Sequence, residues 1–154
     1  MNDSDFMRIA LTAAREAADA GEVPIGAVAV RDGEVVAVAR NRVEELCSVA
    51  AHAEFELLHQ VEKLTGDWRM SDFDFYVTKE PCPMCAGMLV NSRVRRIVFG
   101  LYDPATGGCG GALNIPELPG ALWHPEVTGG VMAEESKELI QQFFRERRQK
   151  QGKN

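Results

Sequence analysis

Two short motifs, about thirty residues apart, restrict the fold of this chain more than any other feature of its sequence. HAE (residues 52–54) and PCPMC (81–85) each follow a strand-like or loop segment and open a helical one. Residues three apart lie on one face of a helix, so the Cys82 and Cys85 sulfurs can share a first helical turn. The free amides and the dipole at a helix start favour thiolate, the form that binds metals. If His52 is a third ligand, the fold has to bring the starts of two helices together.

Hydrophobic periodicity predicts helices and strands that alternate along the chain. Helices are expected over residues 4–20, from 52 through at least 61, over 84–91, and around 139–144. Strands are expected over residues 23–30, 35–39, 73–78, 96–100 and 126–129, with a hairpin turn at 31–34 between the first two. This alternation predicts an α/β architecture in which helices pack on a sheet. Residues 103–120 form a long loop rich in glycine and proline, and such a length favours a functional role.

The length of 154 residues fits one domain, which we expect to span residues 1–154. The composition, 45% hydrophobic and 26% charged, is that of a globular protein. The N-terminal segment resembles no signal peptide, and no apolar stretch reaches the roughly 20 residues that span a bilayer. We therefore expect a cytoplasmic protein that makes no membrane contact and keeps its cysteines reduced.

The net charge of −6 is unevenly distributed. Residues 145–154 carry five lysines and arginines against one glutamate, which gives a basic C-terminal tail on an acidic body. Such a tail can contact phosphate groups. The commoner interpretation of such a tail is a solvated helix end whose cations complement the helix dipole.

An imidazole and two thiolates form a ligand set that suits Zn²⁺. Three protein ligands leave one tetrahedral position for a water molecule, whose pKa zinc lowers to about 7. Glu54 follows His52 by two residues, and at a helix start its carboxylate can reach that water instead of the metal. It would then accept the proton and pass it to a ring nitrogen and to a departing amine. This chemistry is the hydrolysis of an amidine-like carbon with release of ammonia.

Two other interpretations use some of the same residues. A structural zinc site would need a fourth protein ligand, for which the candidates are Cys47, Cys109, His59 and His124. A thioredoxin-like redox pair would use the Cys-x-x-Cys motif alone. Neither interpretation gives Glu54 a role. Outside a metal site, the other two cysteines are interpreted as small packing residues.

The spacing H-x-E followed by P-C-x-x-C is typical of zinc deaminases that act on cytosine or adenine. The chain resembles the bacterial tRNA-specific adenosine deaminases of the cytidine deaminase-like superfamily over nearly its whole length. The resemblance rests on the segments EVPIGAV (22–28), AHAE (51–54), YVTKEPCPMCAGMLVNSRVRRIVFG (76–100), LYDPATGG (101–108) and FFRERR (143–148).

The resemblance implies a three-layer α-β-α fold with a mixed sheet of about five strands, a homodimer, and conversion of wobble adenosine to inosine in a tRNA anticodon loop. It implies metal ligation by His52, Cys82 and Cys85 and catalysis by Glu54. It further implies that Val28 packs against the flipped base, Asn41 binds the ribose or base edge, the Ala53 amide contacts the base, Asp103 lies beside the flanking nucleotides, and Phe144 touches the RNA strand.

Two segments near the expected pocket mouth depart from the family pattern. Ser48–Ala51 stands where the family has Asp-Pro-Thr-Ala, and Ala39-Arg40 stands where it has Gly-Trp. A second hypothesis is therefore a deaminase of a free nucleobase, nucleoside or triazine, of the guanine, cytosine or cytidine type. A third is a zinc-stabilised RNA-binding protein without turnover.

Overall fold

The computed structural model describes residues 1–151. Its elements are, in chain order, α1 (Asp3–Asp19), β1 (Gly26–Arg31), β2 (Glu34–Arg40), α2 (Val43–Leu46), α3 (Ala53–Thr65), β3 (Asp74–Lys79), α4 (Pro83–Asn91), β4 (Arg96–Leu101), a 3-10 turn (Ile115–Glu117), β5 (Glu126–Thr128) and α5 (Ala133–Gln151). The prediction of an α/β fold is confirmed. Residues 152–154 of the expected domain and of its basic tail lie outside the described residues.

The five strands form one mixed sheet in the order β2-β1-β3-β4-β5. β1 runs antiparallel to both β2 and β3, whereas β3, β4 and β5 are parallel to one another. The carboxyl ends of β3 and β4 therefore meet at the same edge of the sheet, and α4 begins shortly after β3 ends there.

Successive side chains of the strands face opposite sides of the sheet, and each side is covered by helices. One hydrophobic cluster joins alternate residues of β1, β3 and β4 to α3 and α4: Ala27, Ala29, Phe75, Val77, Ile97 and Phe99 against Leu57, Val61 and Leu89. The other joins the intervening residues to α1 and α5: Val28, Val30, Tyr76 and Val98 against Phe6, Met7, Leu11 and Leu139. The sheet is thus the middle layer of the expected three.

Local sequence signals account for three of the helix boundaries. α1 begins with a reciprocal capping box between Asn2 and Asp5, which satisfies two free amides of the first turn. α3 ends at Gly66, which takes the left-handed conformation that glycine adopts at low cost. Pro83 is the first residue of α4, where a missing N–H removes no helical hydrogen bond.

The structure differs from the prediction at two places that border the candidate active site. β1 begins at Gly26 instead of residue 23, because Pro24 has no N–H for a strand ladder and Ile25 bonds back to Val23 in a tight turn. The one-turn helix α2 was not predicted, because four residues are too few to show helical periodicity. Within residues 1–151, no helix has the length and apolarity needed to cross a membrane.

Candidate active site

Three side chains of metal-binding type lie together at the starts of α3 and α4. His52 and Cys82 are the N-cap residues of these helices, with extended backbones, and neither side chain caps its own helix. Cys85 lies in the first turn of α4. The Nδ1 atom of His52 is 3.7 Å from the Cys82 Sγ and 3.4 Å from the Cys85 Sγ, and the three donor atoms lie within 4.8 Å of one another. The group has the donor types and the separations needed to hold a metal ion.

The two thiols of this group differ in acidity. A hydrogen bond from Cys85, with help from His52, lowers the pKa of Cys82 to about 4. The same interaction with Cys82, together with burial, raises the pKa of Cys85 far above its ordinary value. The hydrogen bond to Cys82 also raises the pKa of His52. A thiol whose pKa is lowered in this way is suited to binding a metal as thiolate.

None of the four candidates for a further protein ligand joins the group within the described part of the chain. Cys47 is exposed at the end of α2, so the expectation that it is a packing residue is wrong. Cys109 is buried in the core, as expected of a packing cysteine. His59 is exposed beside Glu62, and the ring of His124 bonds to a backbone carbonyl. The described residues therefore offer three candidate ligands here, one fewer than a closed tetrahedral site needs.

Glu54 lies beside this group. It is the second residue of α3 and only 5% exposed, and its carboxyl interacts with the Cys85 thiol. Burial raises the pKa of the Glu54 carboxyl above its ordinary value. A carboxyl group with a raised pKa is suited to accepting a proton and giving it back near neutral pH. The first turn of α3 thus directs Glu54 toward the cysteines.

A cavity of about 280 Å³ opens next to His52. Its wall contains three residues expected from the sequence, namely Asn41, His52 and Ala53. Six further residues complete it: Glu22, Val23, Ile25, Val43, Glu44 and Arg147. Ala53 is the first residue of α3, so the free amides of that helix start are at the cavity wall.

The side chain of Asn41 has a fixed orientation in this wall. Its Oδ1 accepts a hydrogen bond from the Val43 amide at 3.3 Å, and its Nδ2 donates to the Val23 carbonyl at 3.4 Å. An amide side chain has two donors and two acceptor positions, so one of each remains for a ligand.

The expectation that Val28 packs against a substrate base is wrong. Val28 is fully buried on the opposite face of the sheet, among Phe6, Met7 and Leu11. The valine in the cavity wall is Val23, five residues earlier. It precedes β1 and is half-buried, so it is outside the alternation that sends Val28 toward α1.

Asp103 and Phe144 lie outside this cavity wall. The Asp103 carboxylate accepts from the Thr106 hydroxyl at 2.6 Å and pairs with Lys79 at 3.1 Å, and these contacts lower its pKa. Phe144 is 39% exposed on α5 and borders a groove with Arg145 and Arg148. The substrate contacts expected of Asp103 and Phe144 stay predictions.

Two residues of the cavity wall, Glu22 and Arg147, were hard to predict from the sequence. Glu22 directly follows the glycine that ends α1, and it is 1% exposed although it is acidic. Its carboxylate accepts from the backbone amides of Glu44 and Glu45 at 3.0 and 2.7 Å and so caps α2. Arg147 belongs to the FFRERR segment noted above, but its placement beside His52 depends on how α5 packs against α1.

Comparison with known proteins identifies the family. Residues 1–148 match the family described as MafB19-like deaminase. The tRNA-specific adenosine deaminase of Bacillus subtilis (strain 168) is 44% identical over 149 residues, which cover 96% of this chain and 92% of that protein. The chain belongs to the tRNA-specific adenosine deaminase family. The resemblance noted in the sequence is thereby confirmed.

Two solved structures extend the comparison of this deaminase. One comes from a study of A-to-I editing by tRNA:A34 deaminases at the wobble position of transfer RNA; it is 40% identical, with a TM-score of 0.85 over 88% of this chain and 98% of that one. The other is the X-ray structure of guanine deaminase from Bacillus subtilis, which is 34% identical, with a TM-score of 0.63 over 66% of each chain.

Proposed function

We propose that this deaminase hydrolyses adenosine to inosine at the wobble position of tRNA, with zinc as its metal. The family names support the substrate. The single observation that carries the chemistry is the three-ligand group at the starts of α3 and α4, with a buried carboxyl beside it and a cavity next to it.

Zinc fits the donor set. Zn–S distances of about 2.3 Å and Zn–N distances of about 2.0 Å put the ligand atoms of a tetrahedron roughly 3.5–3.8 Å apart. The two measured separations from His52 Nδ1, 3.4 and 3.7 Å, are close to that range. When bound, zinc supplies a Lewis acid that makes water acidic enough to react near neutral pH. His52, Cys82 and Cys85 would hold it.

Proton transfer and substrate binding would depend on the chain's own residues. Glu54 would take a proton from the attacking water and deliver it to the ring nitrogen and then to the departing amine. The Ala53 amide would bind the base edge, and the free donor and acceptor of Asn41 would bind the base or the ribose. These hydrogen bonds would hold a base that has left its stack. Water adds to the carbon that carries the amine, and ammonia leaves.

The basic end of α5 supports an RNA substrate. Four cations lie on the last two turns of α5, namely Arg145, Arg147, Arg148 and Lys150, and Arg147 also lines the cavity beside His52. Phe144 offers a partly exposed ring for stacking in the same segment. Asp103, at the end of β4, would lie beside the flanking nucleotides. Because phosphate contacts release counterions, RNA binding should weaken steeply as salt is added.

We further propose that the protein is a homodimer in the cytoplasm. A groove at the far end of α4 is lined mostly by apolar residues, among them Ile115, Leu118 and the 88% exposed Leu122, together with Asn91 and Arg93. A second copy of the chain would cover this apolar surface.

The second candidate is a free-base deaminase, favoured by the likeness to a guanine deaminase structure. A panel of substrates separates the two functions by ammonia release. We expect turnover of an anticodon stem-loop with adenosine at the wobble position and none of guanine, cytosine, cytidine or a triazine. Turnover of a free base without turnover of the stem-loop would overturn the tRNA assignment and leave the deaminase chemistry standing.

A further inference from the structure

A further buried carboxylate, Glu80, lies two residues before Cys82. It follows β3 and is 4% exposed. Its Oε1 accepts the Asp103 amide at 2.8 Å, and its Oε2 accepts the amides of Cys109 and Gly111 at 2.9 and 2.7 Å. A buried carboxylate is tolerated when such hydrogen bonds replace water. Glu80 therefore joins the end of β3 to the loop that follows β4.

Two of the four glycines of that loop, Gly107 and Gly111, lie against the Glu80 carboxyl group. A Cβ atom at Gly107 would overlap the Glu80 carboxyl group, and one at Gly111 would overlap both that group and the Asp103 carbonyl. The loop can therefore close on the carboxylate only if these two positions lack side chains. Contact with Glu80 thus explains two of the four glycines in residues 103–111.

The same loop packs against the backbone of Pro81 and Cys82. The Gly108 amide donates to the Pro81 carbonyl at 2.7 Å, and a Cβ at Gly108 would lie 3.0 Å from the Cys82 carbonyl. Cys82 is an N-cap residue whose own side chain makes no capping bond. The position of the Cys82 backbone therefore depends on contacts with the loop that folds around Glu80.

We propose that Glu80 is a positioning residue for the metal centre. By folding residues 103–111 against Pro81 and Cys82, it sets where the Cys82 sulfur lies relative to His52 and Cys85. Functional constellations tolerate displacements of only about 0.5 Å, so loss of this support would loosen the ligand geometry. The inference rests on the metal-binding part of the proposed function.

Glu80→Gln tests the proposal, since the new amide group presents a donor to backbone amides that are themselves donors. We expect zinc affinity to fall 10- to 100-fold, as is usual when a residue that orients a metal ligand is lost. The absorption spectrum of the cobalt-loaded protein should shift, because it reports ligand geometry. In steady-state kinetics kcat should fall while KM stays within about twofold, because Glu80 is absent from the cavity wall.

Gly107→Ala is the second variant, because its methyl group displaces the Glu80 carboxyl without changing any charge. It should reproduce the lower zinc affinity and the shifted cobalt spectrum. In the metal-free variants, Cys109 should react at least tenfold faster with a thiol reagent, since the loop that buries it has opened. Glu16→Gln in α1 is the matched control for Glu80→Gln: it removes the same charge from an exposed side chain on a helix of the other face of the sheet, and it should keep wild-type values.

The outcomes separate the two proposals. If both variants fold and match the wild type in zinc affinity and cobalt spectrum, the positioning role is overturned, even if they unfold at lower urea concentrations. A wild-type chain that binds no zinc would instead contradict the proposed function. If Glu80→Gln fails to fold, Gly107→Ala decides the question by the same two measurements.

Discussion

The two faces of the sheet are made from the same strands but serve different purposes. On one face, alternate residues of β1, β3 and β4 pack against α3 and α4. The N-cap and first turn of these two helices contain His52, Glu54, Cys82 and Cys85. On the other face, the intervening residues pack against α1 and α5, and that layer holds none of the metal-ligand or proton-transfer groups, although Arg147 of α5 reaches the cavity wall. Position along a strand therefore says little about function until the face is known, as Val28 illustrates.

The largest effect should follow from removing a metal ligand on the α3/α4 face. For Cys85→Ala we expect turnover to fall at least about 10³-fold, which corresponds to roughly 4 kcal/mol in the activation free energy. The measurements are metal content after dialysis and the initial rate of ammonia release. A variant that retained one metal ion per chain and the wild-type rate would show that Cys85 is no ligand.

A pair of valine variants sharpens the comparison between the faces. Val28→Ala should lower the free energy of unfolding by about 2 kcal/mol, through lost burial and a residual cavity, with KM unchanged. Val23→Ala should instead raise KM severalfold and cost less stability, because Val23 is half-buried in the cavity wall. Urea unfolding and steady-state kinetics measure both. The reverse pattern would mean that the faces have been assigned wrongly.

A smaller effect concerns acid stability on the α1/α5 face. Asp3 accepts two hydrogen bonds from Arg96, at 2.9 and 2.7 Å, and one from the Tyr76 hydroxyl. The bonds to Arg96 lower the pKa of Asp3 below its ordinary 3.8. The stability that Asp3 contributes is therefore complete above that value and is lost as the pH falls through the lowered one.

Asp3→Asn measures this contribution. At pH 7 the variant should unfold about 1 kcal/mol more easily than the wild type, a modest value because the pair is partly exposed. The difference should shrink as the pH drops below 3.8 in urea titrations. A difference that is the same at pH 7 and pH 3 would argue against the ion pair. Metal binding at pH 7 should be unaffected.

The smallest effect is expected at Ser136 in α5. Its hydroxyl is buried and has no hydrogen-bond partner among the described residues. Because an unsatisfied buried hydroxyl is unfavourable, Ser136→Ala should raise the free energy of unfolding by about 0.5 kcal/mol. Thermal unfolding at fixed metal content measures it. A clear loss of stability would mean that an ordered water molecule satisfies the hydroxyl.

The sequence predicted the helices and strands from local signals, and it predicted the three-ligand group from a motif spacing typical of zinc deaminases. Apolar periodicity marks the strands, and the helix starts at His52 and Cys82 follow from the motif spacing. The one-turn α2 carries no such signal, since it depends on a buried Glu22 carboxylate more than twenty residues away. The same holds for Glu80, whose partners lie beyond β4.

Successive side chains of a strand alternate between its faces, and the sequence did not indicate which face Val28 takes. The sequence also placed the beginning of β1 three residues too early. The cavity wall also draws on the segment before β1 and on α5, which come together only through tertiary packing. Contacts between distant segments of the chain are therefore the part of the site that sequence patterns could not supply.

The most direct test of the account compares metal content and turnover in Glu54→Gln. The substitution keeps the size of the side chain but removes its ability to take a proton. We expect one zinc ion per chain, as in the wild type, and a fall in stem-loop deamination of about 10²- to 10⁴-fold. Undiminished deamination would contradict the assignment of Glu54 as the proton carrier, and with it the mechanism proposed for this chain.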